Sequence, residues 1–176
     1  VALDKTGTIT EGKPKLVAFE PEDAGLGQQV LEGLAKRLAA RSDHPVSKAI
    51  ADGVSSAAQE VDEFQAVAGR GVQGVIDGHT NVLANHRWIE ERGQCSAELE
   101  ARLAVHEQAG RTVTLLASSE RVMAICAVAD TIKPSSAQAV ADLKALGVTP
   151  VMLTGDNLAT AQTVGAQAGI AEVRGN

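Results

Sequence analysis

Hydrophobic and polar positions follow each other along this chain in changing rhythms, and each change marks an element boundary. Val1-Ala2-Leu3 is a short apolar run that ends at Asp4, followed by a Thr/Gly-rich stretch through Gly12 and Pro14. That pattern predicts a buried strand delivering a carboxylate onto a loop. Val30, Leu31, Leu34, Ala35, Leu38 and Ala39 then recur at helical spacing. After the break Ser42-Asp43-His44-Pro45, a second stripe runs through Val46, Ala49, Ile50, Val54 and Ala57. Two amphipathic helices joined by a tight polar turn are expected. From Phe64 the rhythm shortens to Phe64–Ala68, Val72–Asp77 and Thr80–Ala84, separated by Gly69, Gly71 and a turn at Gly78-His79, which reads as an antiparallel meander. A helical stretch at Ala97–Ala109 precedes a hairpin, Val113–Ala117 and Val122–Val128, closed by Ser118-Ser119-Glu120-Arg121.

The last part changes character again. A helix runs from Ser135 to Gly147, a strand covers Val148–Leu153, and a helix from Asn157 to Ala168 is stopped by Gly169. Strands alternating with glycine-terminated helices indicate a parallel sheet. The opening strand belongs with it, which makes the expected fold α/β. Residues 1–15 and 128–176 form a partial parallel-sheet domain, interrupted by an α+β domain with an antiparallel sheet over residues 16–127.

Composition narrows the function. The 176 residues are 44% hydrophobic and 22% charged, as in an ordinary globular chain, and 22 acidic against 16 basic residues leave a net charge of −6. Such a surface does not attract a phosphate backbone, so no nucleic acid is expected as a partner. The longest apolar run, Val122–Ala129, is eight residues, far short of the ~20 that a spanning helix needs. The opening residues have neither an initiator Met nor the layout of a signal peptide, and read as the interior of a longer protein. Cys95 and Cys126 form no CxxC pair, and both are assigned to packing. His79, His86 and His106 show no ligand spacing with one another or with the cysteines, and are expected to face solvent.

Two strand ends carry polar clusters, Asp4-Lys5-Thr6-Gly7-Thr8 and Thr154-Gly155-Asp156-Asn157. In open parallel sheets ligands bind at the carboxyl ends of strands, so both loops should border one crevice. A strand-end Asp can attack phosphorus and form an aspartyl phosphate if nearby donors and Mg²⁺ spread the phosphoryl charge. Lys5, the hydroxyls of Thr6, Thr8 and Thr154, and the N–H groups of Gly7 and Gly155 are such donors. Taken alone, the second string also fits a helix N-cap through Asp156 or Asn157. The pairing of the two strings favours chemistry.

Asp4-Lys5-Thr6-Gly7-Thr8-Ile9-Thr10 is similar to the phosphorylation signature of P-type ATPases. Thr154-Gly155-Asp156-Asn157 looks like their second phosphorylation-domain motif, and Asp130-Thr131-Ile132-Lys133-Pro134 resembles their hinge element. The resemblance covers the whole chain and implies a haloacid-dehalogenase-like phosphorylation domain with a nucleotide-binding insert. It implies that Asp4 takes the γ-phosphoryl of ATP, and that its carboxylate with the Thr6 backbone carbonyl holds Mg²⁺. Lys5 and Thr154, beside Gly155 and Asp156, would contact the phosphoryl oxygens, and Asp130 would approach the nucleotide. Related phosphatases place a second Asp two positions after the nucleophile as general acid/base. Here that position is Thr6, which should leave the acyl phosphate longer-lived.

In the insert, Ser42-Asp43-His44-Pro45 and Ala68-Gly69-Arg70-Gly71-Val72 look like the nucleotide-binding domain of the heavy-metal branch, where a His-Pro pair and a GxG turn flank adenine. His44, Gly69 and Gly71 are therefore assigned to ATP. Asn85 fits either a nucleotide-proximal residue or a plain helix cap. The sequence departs from the branch at Ala39, where a Glu is common, and at Ala84, where a Gly is common. Asp43 and Glu32 are the carboxylates that could substitute for the Glu. The resemblance further implies partners in the rest of a pump: membrane helices holding the transported metal, an actuator domain, and the remaining phosphorylation-domain loop and Lys, which do not occur before Asn176. This segment should sit on the cytoplasmic side of a cell membrane, bind ATP with little turnover, and not itself hold the transported metal. The Arg41–Pro45 region favours zinc, cadmium or lead over copper. A capped haloacid-dehalogenase-type phosphatase or phosphotransferase is the rival reading, and a non-enzymatic ATP-sensing module the third.

Overall fold

A computed structural model describes residues 1–22, 25–57 and 59–175. In chain order the elements are β1 (Ala2–Asp4), β2 (Lys15–Pro21), α1 (Gln28–Ala39), α2 (Pro45–Gly53), β3 (Asp62–Val67), β4 (Gly71–Ile76), β5 (His79–Asn85), α3 (His86–Glu91), α4 (Ala97–Gln108), β6 (Thr112–Ser118), β7 (Val122–Ala129), α5 (Ser136–Ala145), β8 (Val151–Leu153), α6 (Leu158–Ala168) and β9 (Glu172–Arg174). They fall into two compact units, one of Val1–Pro14, Ala104–Thr112 and Ala129–Asn176, the other of Lys15–Leu103 and Val113–Val128.

The first unit is built on a parallel sheet ordered β1-β8-β9, with Ala2 opposite Val151 and Asp4 opposite Leu153. Its core is Ile9, Val140, Met152, Ala161, Val164, Ala168 and Ile170, with Leu3 and Val173 packed against it. The strand expected over Val148–Leu153 is only three residues long. Gly147 takes φ 76°, and the Val148 N–H is still closing α5 through the Leu143 carbonyl. Pro150 lacks an N–H, so pairing begins at Val151. Strand β9 was not anticipated from the sequence, because three residues with one inward side chain carry no readable period.

The second unit is a six-stranded sheet ordered β2-β7-β6-β5-β4-β3. Its middle strands bury alternate residues on opposite faces. Leu83, Leu116, Ala124 and Cys126 meet Leu31, Leu38 and Ile50 of α1 and α2, while Val82, Leu115 and Ile125 meet Ile89, Leu99 and Leu103 of α3 and α4. Burial on both faces explains why β7 reads as one continuous apolar run. The β4–β5 turn is Asp77-Gly78, at φ 50° and 79°, and not Gly78-His79. A two-residue hairpin of this kind needs positive φ at both central positions, which Asp-Gly supplies. Edge strand β2 was also missed, its alternation being framed by Pro14 and Pro21. It is held by the Glu22 N–H on the Met123 carbonyl (2.8 Å) and by Arg102 of α4, which pairs with Glu20 (2.7 Å) and Glu22.

Two expectations about side chains are corrected. His106 is 4% exposed, and its Nδ1 lies 3.1 Å from the Arg111 guanidinium; His86 is partly buried beside Cys95 and Glu100. Neither faces open solvent: His106 is covered at the C-terminal end of α4 and His86 at the start of α3. His79 is exposed and Cys126 fully buried, as expected. Among the described residues no helix is long and apolar enough to cross a membrane.

Candidate functional site

In the first unit, Asp4 ends β1, and the chain then makes a wide turn over Lys5–Ile9, closed by the Thr10 N–H on the Lys5 carbonyl at 3.0 Å. Gly7 sits at φ 78° with open space where a Cβ would point. A side chain there would be strained, and the Gly7 N–H, expected as a phosphoryl donor, instead donates to Thr10 Oγ1 at 3.3 Å. Asp130-Thr131-Ile132-Lys133-Pro134 grips this turn from outside. The Asp130 carboxylate accepts from Thr10 Oγ1 (2.6 Å) and from the Gly12 and Lys13 N–H groups (3.1 Å each). Lys133 Nζ donates to the Gly7 carbonyl (2.6 Å) and Ser136 Oγ to the Ile9 carbonyl (2.8 Å).

Parallel pairing of β1 with β8 puts Thr154-Gly155-Asp156 at the same sheet edge as Asp4. Asp156 and Lys5 form an ion pair at 2.5 Å, with side chains only 11% and 9% exposed. Thr112 Oγ1 donates to the other Asp156 oxygen (3.0 Å), and the Asp156 N–H donates to Thr154 Oγ1 (3.2 Å). Asn157, not Asp156, caps α6, its side chain accepting from the Thr160 N–H. Three carboxylates thus serve this region, and two are engaged by protein donors. Asp4 is exposed, and among the described residues no side chain pairs with it. Thr6 is exposed next to it. The Asp4 carboxylate and the Thr6 carbonyl are hard oxygen donors of the kind Mg²⁺ takes, so the residues present fit that ion.

In the second unit, His44 is the N-cap of α2, with Nδ1 accepting from the Val46 N–H at 3.3 Å. That bond fixes the tautomer: the proton of the neutral ring lies on Nε2. The imidazole is exposed, so its face and Nε2 edge point to solvent. At the glycine turn, Gly71 (φ 143°) is opposite Ala84, and a Cβ there would meet the Leu83 carbonyl at 2.1 Å. Strand packing alone therefore demands Gly71. Gly69 (φ 67°) has open space around its missing Cβ. Asn85 caps α3 by accepting from the Trp88 N–H (2.9 Å) and donates to the Gly69 carbonyl (2.9 Å), so it fixes the turn. Asn85→Ala is expected to cost ~1 kcal/mol of stability, the usual value of an N-cap, read from a thermal melt; a variant as stable as the wild type would remove that role. Ala39 is fully buried in the α1 core, Glu32 receives a hydrogen bond from Gln28 (2.8 Å), and Asp43 pairs with Lys48 (3.4 Å).

Sequence reasoning missed the clamp made by Thr10, Lys133 and Ser136, and Thr112 as a partner of Asp156. The Asp-x-x-Lys spacing was the available signal for Lys133.

A family profile described as haloacid dehalogenase-like hydrolase matches residues 1–175. The chain belongs to that family. Within it, the chain is similar to heavy-metal P-type ATPases. It is 38% identical to the probable copper-transporting ATPase PacS of Synechococcus elongatus over 98% of this chain and 24% of that protein. To a probable cadmium-transporting ATPase of Staphylococcus aureus it is 31% identical, over 99% and 25%. A crystal structure of a zinc-transporting PIB-type ATPase in the E2.Pi state superposes with a TM-score of 0.64 at 32% identity, covering 99% of this chain and 28% of that one. The chain thus spans about a quarter of the length of the curated relatives it matches. Copper, cadmium and zinc transporters match alike, so similarity does not separate the metals. The haloacid dehalogenase-like assignment agrees with a mixed α/β chain that has a parallel sheet and a separate antiparallel sheet.

Proposed function

We propose that this chain is the nucleotide-binding and phosphoryl-accepting part of a heavy-metal-exporting P-type ATPase, placed on the cytoplasmic side of its membrane. Asp4 carries the reading: of the carboxylates at the strand ends it alone is exposed and unengaged, while the loops around it are held by Asp130, Lys133 and the Lys5–Asp156 pair. In the reaction, an Asp4 oxygen attacks the γ-phosphorus of ATP, a new P–O bond forms, the bond to the bridging oxygen breaks, and ADP leaves. Mg²⁺, held by the Asp4 carboxylate and Thr6 carbonyl, would neutralise phosphoryl charge. Thr154 and the Gly155 N–H would donate to the phosphoryl oxygens, and Lys5 would act through Asp156 by tying the two loops together. Thr6 carries no carboxylate to activate water, which supports a persistent aspartyl phosphate over a phosphatase cycle.

ATP binds the second unit in this reading, with adenine against the His44 ring and the Gly69 turn. The Nε2–H tautomer offers a donor to a purine nitrogen while Nδ1 keeps its cap. Glu32 and Asp43 are each engaged by a neighbour, Gln28 and Lys48, and with Ala at position 39 modest affinity is expected.

His44→Ala is expected to weaken ATP binding by about tenfold, the loss of about one hydrogen bond or stacking contact, and to cost ~1 kcal/mol of stability through the lost cap. Calorimetric titration of the 176-residue chain with ATP and GTP, wild type and variant, checks this. Unchanged ATP affinity in a folded variant would remove His44 from the site.

A further inference from the structure

We propose that His86, Cys95 and Glu100 form a binding site for one divalent transition-metal ion of borderline or soft character, separate from the phosphorylation and nucleotide loops. The three side chains come from different segments: His86 opens α3, Cys95 lies on the connection, and Glu100 is in the first turn of α4. Their donor atoms all lie within 4.8 Å of one another. His86 Nε2 is 3.1 Å from Glu100 Oε1, and Cys95 Sγ is 3.7 Å from the same nitrogen. With ordinary zinc bond lengths, a tetrahedral site has edges of about 3.3 Å between nitrogen and oxygen and about 3.6 Å between nitrogen and sulfur. The two edges that start from His86 are close to those separations, and the third, between Cys95 and Glu100, is within 4.8 Å.

The supports are rigid on every side. Asn85 caps α3 ahead of His86, and Ile89 on that helix is fully buried. The connection is anchored by Arg92 and Gln94, which both donate to the Ser118 carbonyl at 2.9 and 3.1 Å. Ser96 Oγ accepts from the Leu99 N–H, and Leu99 and Leu103 are buried under α4. Donors fixed before the ion arrives lose little entropy on binding. A fourth position is open to Glu90, whose carboxylate is 3.9 Å from His86 Nε2 on the next turn of α3, or to water.

The donor set selects the metal class. Imidazole with thiolate suits zinc or cadmium and disfavours Mg²⁺ and Ca²⁺, which take oxygen. On binding, the Cys95 S–H bond breaks, its proton passes to solvent, and an S–metal bond forms. Thiolate, carboxylate and dication then sum to zero charge.

Titrating the metal-free, reduced 176-residue chain with Zn²⁺, and separately with Cd²⁺, tests the site. About one ion per chain is expected, with the ultraviolet charge-transfer band of a cadmium thiolate. Cys95→Ser should weaken binding by about tenfold or more and remove the band, and Glu100→Gln should weaken binding while keeping the band. Cys126→Ser should change neither: that thiol is fully buried and pushed up to about 12 by desolvation. Zn²⁺ should also protect one thiol from a thiol-specific reagent. Melts without metal show that each variant is folded. Absence of saturable binding in the wild type, or wild-type affinity in both folded Cys95→Ser and Glu100→Gln, would overturn the site.

Discussion

If the proposed function holds, Asp4→Asn is expected to abolish the acid-stable phosphoenzyme of the full-length protein, a loss on the order of 10⁴-fold or more, as removal of a nucleophile usually does. The amide that replaces the carboxylate cannot form an acyl phosphate. The fold does not suffer, because Asp4 is exposed and no side chain among the described residues pairs with it. Surface changes of that kind stay within about 0.5 kcal/mol. ATP binding by the 176-residue chain should be unchanged or slightly tighter, since one negative charge near the γ-phosphate is gone. Acid-quenched labelling from γ-labelled ATP reads the first effect and calorimetry the second. Label that survives in the variant would place the nucleophile elsewhere.

The largest stability effect belongs to Asp156. Asp156→Ala strips a buried ammonium of its partner and should destabilise the first unit by ~3–5 kcal/mol, the usual result when one half of a buried pair is removed. Thr112 loses its acceptor as well. Removing both charges, Lys5→Met with Asp156→Leu, should recover much of the loss, because no charge is left uncompensated. Two probes separate the units. Trp88, the one tryptophan, lies in the second unit, so its fluorescence follows that unit, while circular dichroism follows both. In a urea titration of Asp156→Ala, part of the dichroism change should precede the fluorescence change. Coincident curves at the wild-type midpoint would show that the pair contributes no stability.

Much of the fold was legible because α1 and α2 carry one apolar stripe each and the turns of the β3–β5 meander carry Gly. Where the reading failed, the cause was local. Strand β2 is a half-exposed edge bounded by prolines, and Pro150 cuts β8 to three residues. The strings around Asp4 and Asp156 carried the expectation of a site, but the contacts that hold these loops did not show in them. Lys133 and Ser136 act on backbone carbonyls, and Asp130 mostly on backbone N–H groups. A carbonyl is available at every position, so no residue type flags it. His86, Cys95 and Glu100 were invisible for a different reason: they meet only because α3, the connection and α4 fold back over one sheet face, and their sequence separations match no ligand motif.

The pairing of β1 with β8 also sets an order of events during synthesis. Ala2 finds its partner at Val151, whereas each hairpin of the second unit pairs with a neighbour already made. At roughly 5–20 residues per second, β1 waits on the order of ten to thirty seconds for β8 to leave the ribosome. By then Val128 has emerged and the six-stranded unit has all its strands. Within this chain, β1 therefore gains its partner β8 only after every strand of the six-stranded unit has been made.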